Sequence, residues 1–155
     1  MRVLVVSEQA VERLRAASAL HLHAQDDAEV VEATSAEDAR ALLERDADFD
    51  VLVIDGDLYP RGGYGLLYGI RAQAELRGQA SPPAVILMDR EQDRWLADWA
   101  GANAVLVKPV PSFALARQVE DLVGAGAAQH GATESSDQVA DLLAAGHGQD
   151  AGLSP

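Results

Sequence analysis

Apolar residues gather in five short runs, at residues 2–6, 29–33, 51–55, 84–88 and 104–107, most of them rich in valine and isoleucine. Runs of this length and β-branched character predict strands. Between them apolar positions recur every three or four residues, which predicts helices. From about Gln9 one face carries Val11, Leu14 and Ala17; residues 36–45 carry Ala39, Leu42 and Leu43; residues 64–77 carry Leu67, Ile70 and Ala74. A fourth helix is expected over 89–100, and a fifth over 111–123 with Leu115, Val119 and Leu122 inward. Thr34 and Ser35 each have an acidic residue three positions on, Glu37 and Asp38, the pattern of a helix-capping box. Gly78 and Gly101 stand where helices should end. Five strands alternating with five helices through short connections predict an α/β fold: a three-layer, doubly wound, five-stranded parallel sheet.

The alternation stops after Val123. Residues 124–155 are predicted to be a flexible tail: a Gly-Ala linker, then a two-turn helix capped by Asp137 with Val139, Leu142 and Leu143 on one face. Residues 1–123 form the folded domain. The 155-residue length and 48% hydrophobic content suit one domain with a real core. The apolar run at the amino terminus is broken by Glu8, and no stretch of about 18 apolar residues occurs, so a cytoplasmic protein is expected. Absence of cysteine removes disulfides and thiolate chemistry. A net charge of −13 argues against nucleic acid and anionic membranes as partners.

Candidate chemistry centres on Asp55. Val51 to Ile54 run into it, and turn formers follow, which places its carboxylate at the carboxyl end of a buried strand. In open α/β sheets ligands collect at that edge. Ser7-Glu8 follow the first strand and Lys108-Pro109 the fifth, while Gly101-Ala102 open the fifth-strand segment. In this order the landmarks resemble the receiver domains of bacterial response regulators, a (βα)5, flavodoxin-like family, across residues 1–123. The resemblance implies that Asp55 accepts a phosphoryl group as a carboxylate nucleophile and that Lys108 contacts it. It also implies magnesium held by Glu8, Asp55 and the backbone carbonyl of Asp57, and a cis peptide bond before Pro109.

Several positions depart from that pattern. Ser7 stands where the family generally has a first acidic residue, so metal affinity should fall. Met88 replaces the hydroxyl residue after the fourth strand, and a thioether is only a weak acceptor. Val105 replaces the aromatic that accompanies it. Pro60 lies five residues after Asp55 where four is usual, which suggests a one-residue insertion. Asp57 adds a carboxylate, and Arg90 is expected to neutralise it in a pair that covers Asp55. Outside the site, Trp99 is expected to lean inward and Trp95 to lie at the helix flank, open to a partner. His21 and His23 read as surface residues, and Gly62, Gly63 and Gly65 as turn formers.

The resulting expectation is a stand-alone atypical receiver in two-component or phosphorelay signalling, with Asp55 phosphorylation impaired or absent. It would act through protein contacts, including a homodimer through the fourth helix, fifth strand and fifth helix, rather than as an enzyme. A conventional phospho-acceptor driven by a histidine kinase is the alternative. Asp55-Gly56-Asp57 also resembles the nucleophile and acid of haloacid-dehalogenase-like phosphatases, although the motif there sits on an early strand.

Overall fold

The computed structural model describes residues 1–46 and 48–145. Its elements in chain order are β1 (Arg2–Val6), α1 (Ala10–His23), β2 (Glu29–Ala33), α2 (Ala36–Arg45), β3 (Val51–Asp55), α3 (Gly62–Leu76), β4 (Ala84–Met88), a 3-10 turn (Glu91–Asp93), α4 (Arg94–Ala100), β5 (Ala104–Val107) and α5 (Ser112–Ala145). All strand pairs are parallel, in the order β2-β1-β3-β4-β5. The five strands and five helices are those the hydrophobic pattern predicts.

Strand side chains alternate between faces, and the alternation sorts the core into two layers. Leu4, Val6, Leu52, Ile54, Ile86 and Met88 pack against α2, α3 and α4 through residues such as Ala39, Leu66, Leu67, Ala97 and Ala100. Val3, Val5, Val51, Val53, Val85 and Leu87 pack on the other side against Ala16, Ala19 and Leu20 of α1 and Leu115, Ala116 and Val119 of α5. Both faces are covered, so the central strands are apolar throughout, as parallel strands require. The chain winds one way from β1 to β2 and then returns across β1 to β3. Asp55 and Ser7 therefore stand at the carboxyl edge where the winding direction reverses.

Three expectations are corrected. The last helix does not stop near Val123 but runs to Ala145, so residues 124–131 are helix rather than linker and Asp137 lies within it rather than capping it. No proline interrupts 112–145, and the alanines of this stretch are the best helix formers, which offsets the roughly 1 kcal/mol that each glycine costs. The chain divides into the units Met1–Val123 and Gly124–Pro155, and the tail expected over 146–155 lies outside the described residues.

Second, α4 is short, seven residues from Arg94, because Asp89 and Arg90 precede the 3-10 turn and are not helical. Third, Trp99 does not lean inward. Ala97 and Ala100 take the buried side of α4, and Trp99, roughly 130° round the helix from their midpoint, is 56% exposed. It stacks flat on Tyr68 of α3, ring centroids 4.4 Å apart. Trp95 is exposed, as expected. His21 and His23 are also exposed, and His23 Nε2 lies 3.0 Å from Ser112 Oγ.

Arg71 of α3 ties the amino-terminal edge together, with no carboxylate partner among the described residues. Its guanidinium donates to Ser81 Oγ (2.5 Å), the Pro82 carbonyl (2.6 Å), the Gly101 carbonyl (3.2 Å) and Asn103 Oδ1 (2.7 Å). Burial pulls its pKa below the usual arginine range. Five donors in a fixed fork match these scattered acceptors, and an ammonium does not. Arg71→Ala is expected to lower unfolding stability by about 2–3 kcal/mol, with little rescue by Arg71→Lys. Urea denaturation of the three proteins checks this.

Candidate functional site

Asp55 ends β3 and is 1% exposed, so its carboxylate must be satisfied by protein groups. Three groups do so. Ser7 follows β1, one step beyond the Val6–Ile54 pair, and its hydroxyl donates to Asp55 Oδ2 at 2.7 Å. The Asp57 backbone N–H donates to Oδ1 at 3.0 Å. Lys108 Nζ donates to Oδ1 at 2.6 Å, and its ion pair supplies the counter-charge. The lysine is anchored by its own backbone, whose N–H donates to the Met88 carbonyl at 2.8 Å, and its bond to Pro109 is cis. The same ammonium lies 3.5 Å from Asp89 Oδ1, so it bridges a buried and an exposed carboxylate.

The surrounding loops are equally fixed. Ser7 Oγ accepts from the Gln9 N–H at 3.1 Å while donating to Asp55, which leaves its hydroxyl one orientation. Arg13 of α1 donates to the Ser7 carbonyl at 2.8 Å, and its buried Nε has no partner among the described residues. Beyond β3 the loop folds back over buried Leu58, with a second cis bond at Tyr59–Pro60. Gly63 then brings α3 against the strand end: a Cβ there would lie 2.2 Å from the Asp55 carbonyl oxygen, so no other residue fits. Tyr64 lies across Gly56, where a Cβ would meet its hydroxyl at 3.0 Å. Burial, then the charges of Asp93 and Asp89, push its phenol above the usual tyrosine range.

Thus the fold brings together Asp55, Lys108, Ser7 and the Asp57 backbone. Glu8 is turned away: its side chain is exposed and accepts from the Tyr59 N–H at 3.3 Å. Arg90 does not pair with Asp57. It pairs with Asp93 at 3.0 Å, three residues on, so the expected cover over Asp55 is absent among the described residues. The nearer partner wins because the 3-10 turn places Asp93 beside it. Met88 is fully buried among the apolar residues under α3 and α4, with Val105 packed against the same cluster and only partly accessible. Asp89, Arg13 and Tyr64 escaped the sequence reading. Asp89 shares the strand-face parity of Leu87 and directly follows β4, a signal that was there to be used.

The donor set does not fit the magnesium that the resemblance implies. Among the described residues no three acidic or histidine side chains gather closely enough to hold a metal. Glu8 is engaged elsewhere, and each Asp55 oxygen already accepts a short hydrogen bond.

The fold and site define a receiver-type α/β domain. Solved receivers share the fold: the receiver domain of Francisella response regulator 1452 has a TM-score of 0.69 at 21% identity, over 81% of this chain and 98% of that one. A Clostridium thermocellum receiver domain gives 0.70 at 19%, over 83% and 98%. The Vibrio cholerae chemotaxis protein CheY4 gives 0.65 at 21%, over 78% and 97%. No family model matches the chain. An uncharacterized response regulatory protein of Mycobacterium tuberculosis, found in two strains, is 31% identical over 130 residues, 82% of this chain and 94% of its own length. The chain belongs to the response regulators, as a receiver domain of two-component signalling.

Burial pulls the Lys108 pKa down, but its hydrogen bond and charge pairing with Asp55 outweigh this and leave it above the ordinary lysine value of 10.5. A raised lysine pKa gives stability that is full below the unfolded value and is lost as pH rises through the folded one. Unfolding free energy is therefore expected to fall above about pH 10. Lys108→Met, which leaves Asp55 without a counter-charge, should cost about 3 kcal/mol at neutral pH and flatten the alkaline fall. Urea titrations across pH 7–12 of both proteins check it; an undiminished alkaline fall in the variant would assign the effect elsewhere.

Proposed function

We propose that this protein is an atypical receiver that signals through protein contacts, with phosphorylation of Asp55 impaired. The observation that carries the reading is the closed state of the carboxylate: Oδ2 accepts the Ser7 hydroxyl, and Oδ1 accepts Lys108 and the Asp57 N–H. To accept a phosphoryl group, one Asp55 oxygen must bond to phosphorus while the donor's bond to phosphorus breaks, P–O in an acyl phosphate or P–N in a phosphohistidine, and the leaving atom keeps the electron pair. The attacking oxygen would do so from a buried place while accepting a short hydrogen bond, which draws off its electron density. The arriving group would then meet a poor set of partners. Met88 offers no hydroxyl, so a charge-assisted hydrogen bond of roughly 1.5–3 kcal/mol is missing from the phosphorylated state. Val105 removes the aromatic that the family couples to that hydroxyl.

Output in this reading runs through the α4 surface, where Trp95 stands exposed beside the stacked Tyr68 and Trp99. A protein partner, a histidine kinase among the candidates, would dock on such aromatics, which dominate interface energetics elsewhere. Contact through Val105 is less supported, since that side chain packs into the core cluster.

One observation favours a conventional phospho-acceptor instead: the ammonium of Lys108 already lies on Asp55, where it would neutralise an incoming phosphoryl group. The phosphatase reading has less support, because Asp57 offers Asp55 its backbone N–H and keeps its carboxylate exposed. Intact mass after incubation with magnesium and a small acyl phosphate separates these outcomes. A minor fraction carrying one phosphoryl group, absent from Asp55→Asn, is expected; stoichiometric addition would establish the conventional reading.

A further inference from the structure

We infer that Ser7 makes this receiver pocket independent of divalent metal: its hydroxyl proton, with the Lys108 ammonium, occupies the place between the ends of β1 and β3 that a cation would need. The inference rests on the reading of the Asp55 pocket as a receiver pocket and states how that pocket is held.

A divalent hard cation takes carboxylate oxygens at short range and keeps waters in its remaining positions. Three features of this pocket oppose that. The first is the hydrogen-bond relay from the Gln9 N–H to Ser7 Oγ and from Ser7 O–H to Asp55 Oδ2, at 3.1 and 2.7 Å. Serine has one proton to donate, and here Asp55 receives it, so Ser7 presents a committed hydroxyl where a second carboxylate would supply charge. The second is the positive charge already built in. Lys108 stands on Oδ1 and Arg13 on the Ser7 carbonyl, the latter at 2.8 Å, so a cation would approach Asp55 past two cationic side chains. The third is Glu8, directly after Ser7, whose carboxylate accepts from the Tyr59 N–H. A cation entering here would compete with Ser7 and Lys108 for the Asp55 oxygens and with the Tyr59 N–H for Glu8.

Ser7 is then the residue that decides metal dependence. An aspartate in its place has no proton to give to Asp55 at neutral pH. It would put a second carboxylate beside the first, and like charges at that distance are relieved by a divalent ion.

The test is a magnesium chloride titration of the full chain, without any phosphodonor, followed by melting temperature and by calorimetric heat, against sodium chloride of equal ionic strength. Binding to the native state alone must raise the melting temperature saturably. The natural protein is expected to show no saturable rise into the tens of millimolar. Ser7→Asp should gain one with a millimolar midpoint, and Ser7→Ala, which loses the hydroxyl without adding charge, should not. A saturable millimolar response of the natural protein overturns the inference, as does a Ser7→Asp protein that folds and shows no more response than the natural one. If Ser7→Asp does not fold, manganese binding to the natural protein by equilibrium dialysis decides it, with stoichiometric millimolar binding against the inference and its absence in favour. Because no phosphoryl group is transferred, the result stands apart from the acyl phosphate experiment: phosphorylation of Asp55 and metal binding at Asp55 can each fail alone.

Discussion

A carboxylate buried at the end of a central strand must be neutralised, and the architecture around Asp55 follows from that need. Isolated, such a charge costs several kcal/mol and would unfold or neutralise its surroundings. Here the cost is met by groups from three separate segments: the hydroxyl after β1, a backbone N–H after β3 and the ammonium after β5, which also lies 3.5 Å from the carboxylate after β4. They converge because parallel strands end at the same edge. The close approach of α3 at Gly63 and the backbone bond from Lys108 to Met88 hold the edge in register. The same contacts that satisfy Asp55 also close it, so stability and reactivity pull in opposite directions at one residue.

The departures from the family pattern form a consistent set rather than scattered losses. Replacing one acid by Ser7 takes a negative charge out of the pocket, and the relay from Gln9 through Ser7 uses the resulting space. With Met88 and Val105 both in the apolar cluster under α3 and α4, the strand ends that would read a phosphoryl group are instead packed as core. In the reading proposed above, output runs through surface contacts, for which the exposed aromatics on α3 and α4 are suited.

Much of this was readable from residue order. Apolar runs separated by helical periodicity, with Asp55 and Lys108-Pro109 at the ends of two of the runs, predict the right fold and put both residues at one sheet edge; their direct ion pair was not foreseen. Ser7 was recognised as a departure, but its role was not, because a serine in a sequence does not disclose where its hydroxyl points. Arg90 was assigned to Asp57 on proximity to the site, whereas a tight turn put Asp93 closer. Helical spacing alone turns Trp99 inward, whereas α4 is rotated so that Ala97 and Ala100 are buried and Trp99 is exposed. The helix end near Val123 was read from glycines alone, although alanine and the absence of proline carry the helix through them.

What the sequence by itself determined is therefore the set of properties with a local physical cause. Strand and helix identity follow from side-chain period and β-branching, the two-sided core from apolar residues on both faces of the central strands, and the carboxyl-edge location of Asp55 and Lys108 from their place at strand ends. Only the tertiary structure decided the properties that depend on direction across space. Those are the proton that Ser7 gives to Asp55, the turning of Glu8 toward the loop after β3, and the bridge of Lys108 to Asp89. A hydrogen bond or ion pair is fixed by distances of a few tenths of an ångström between chain segments, and no periodicity along one chain contains that information.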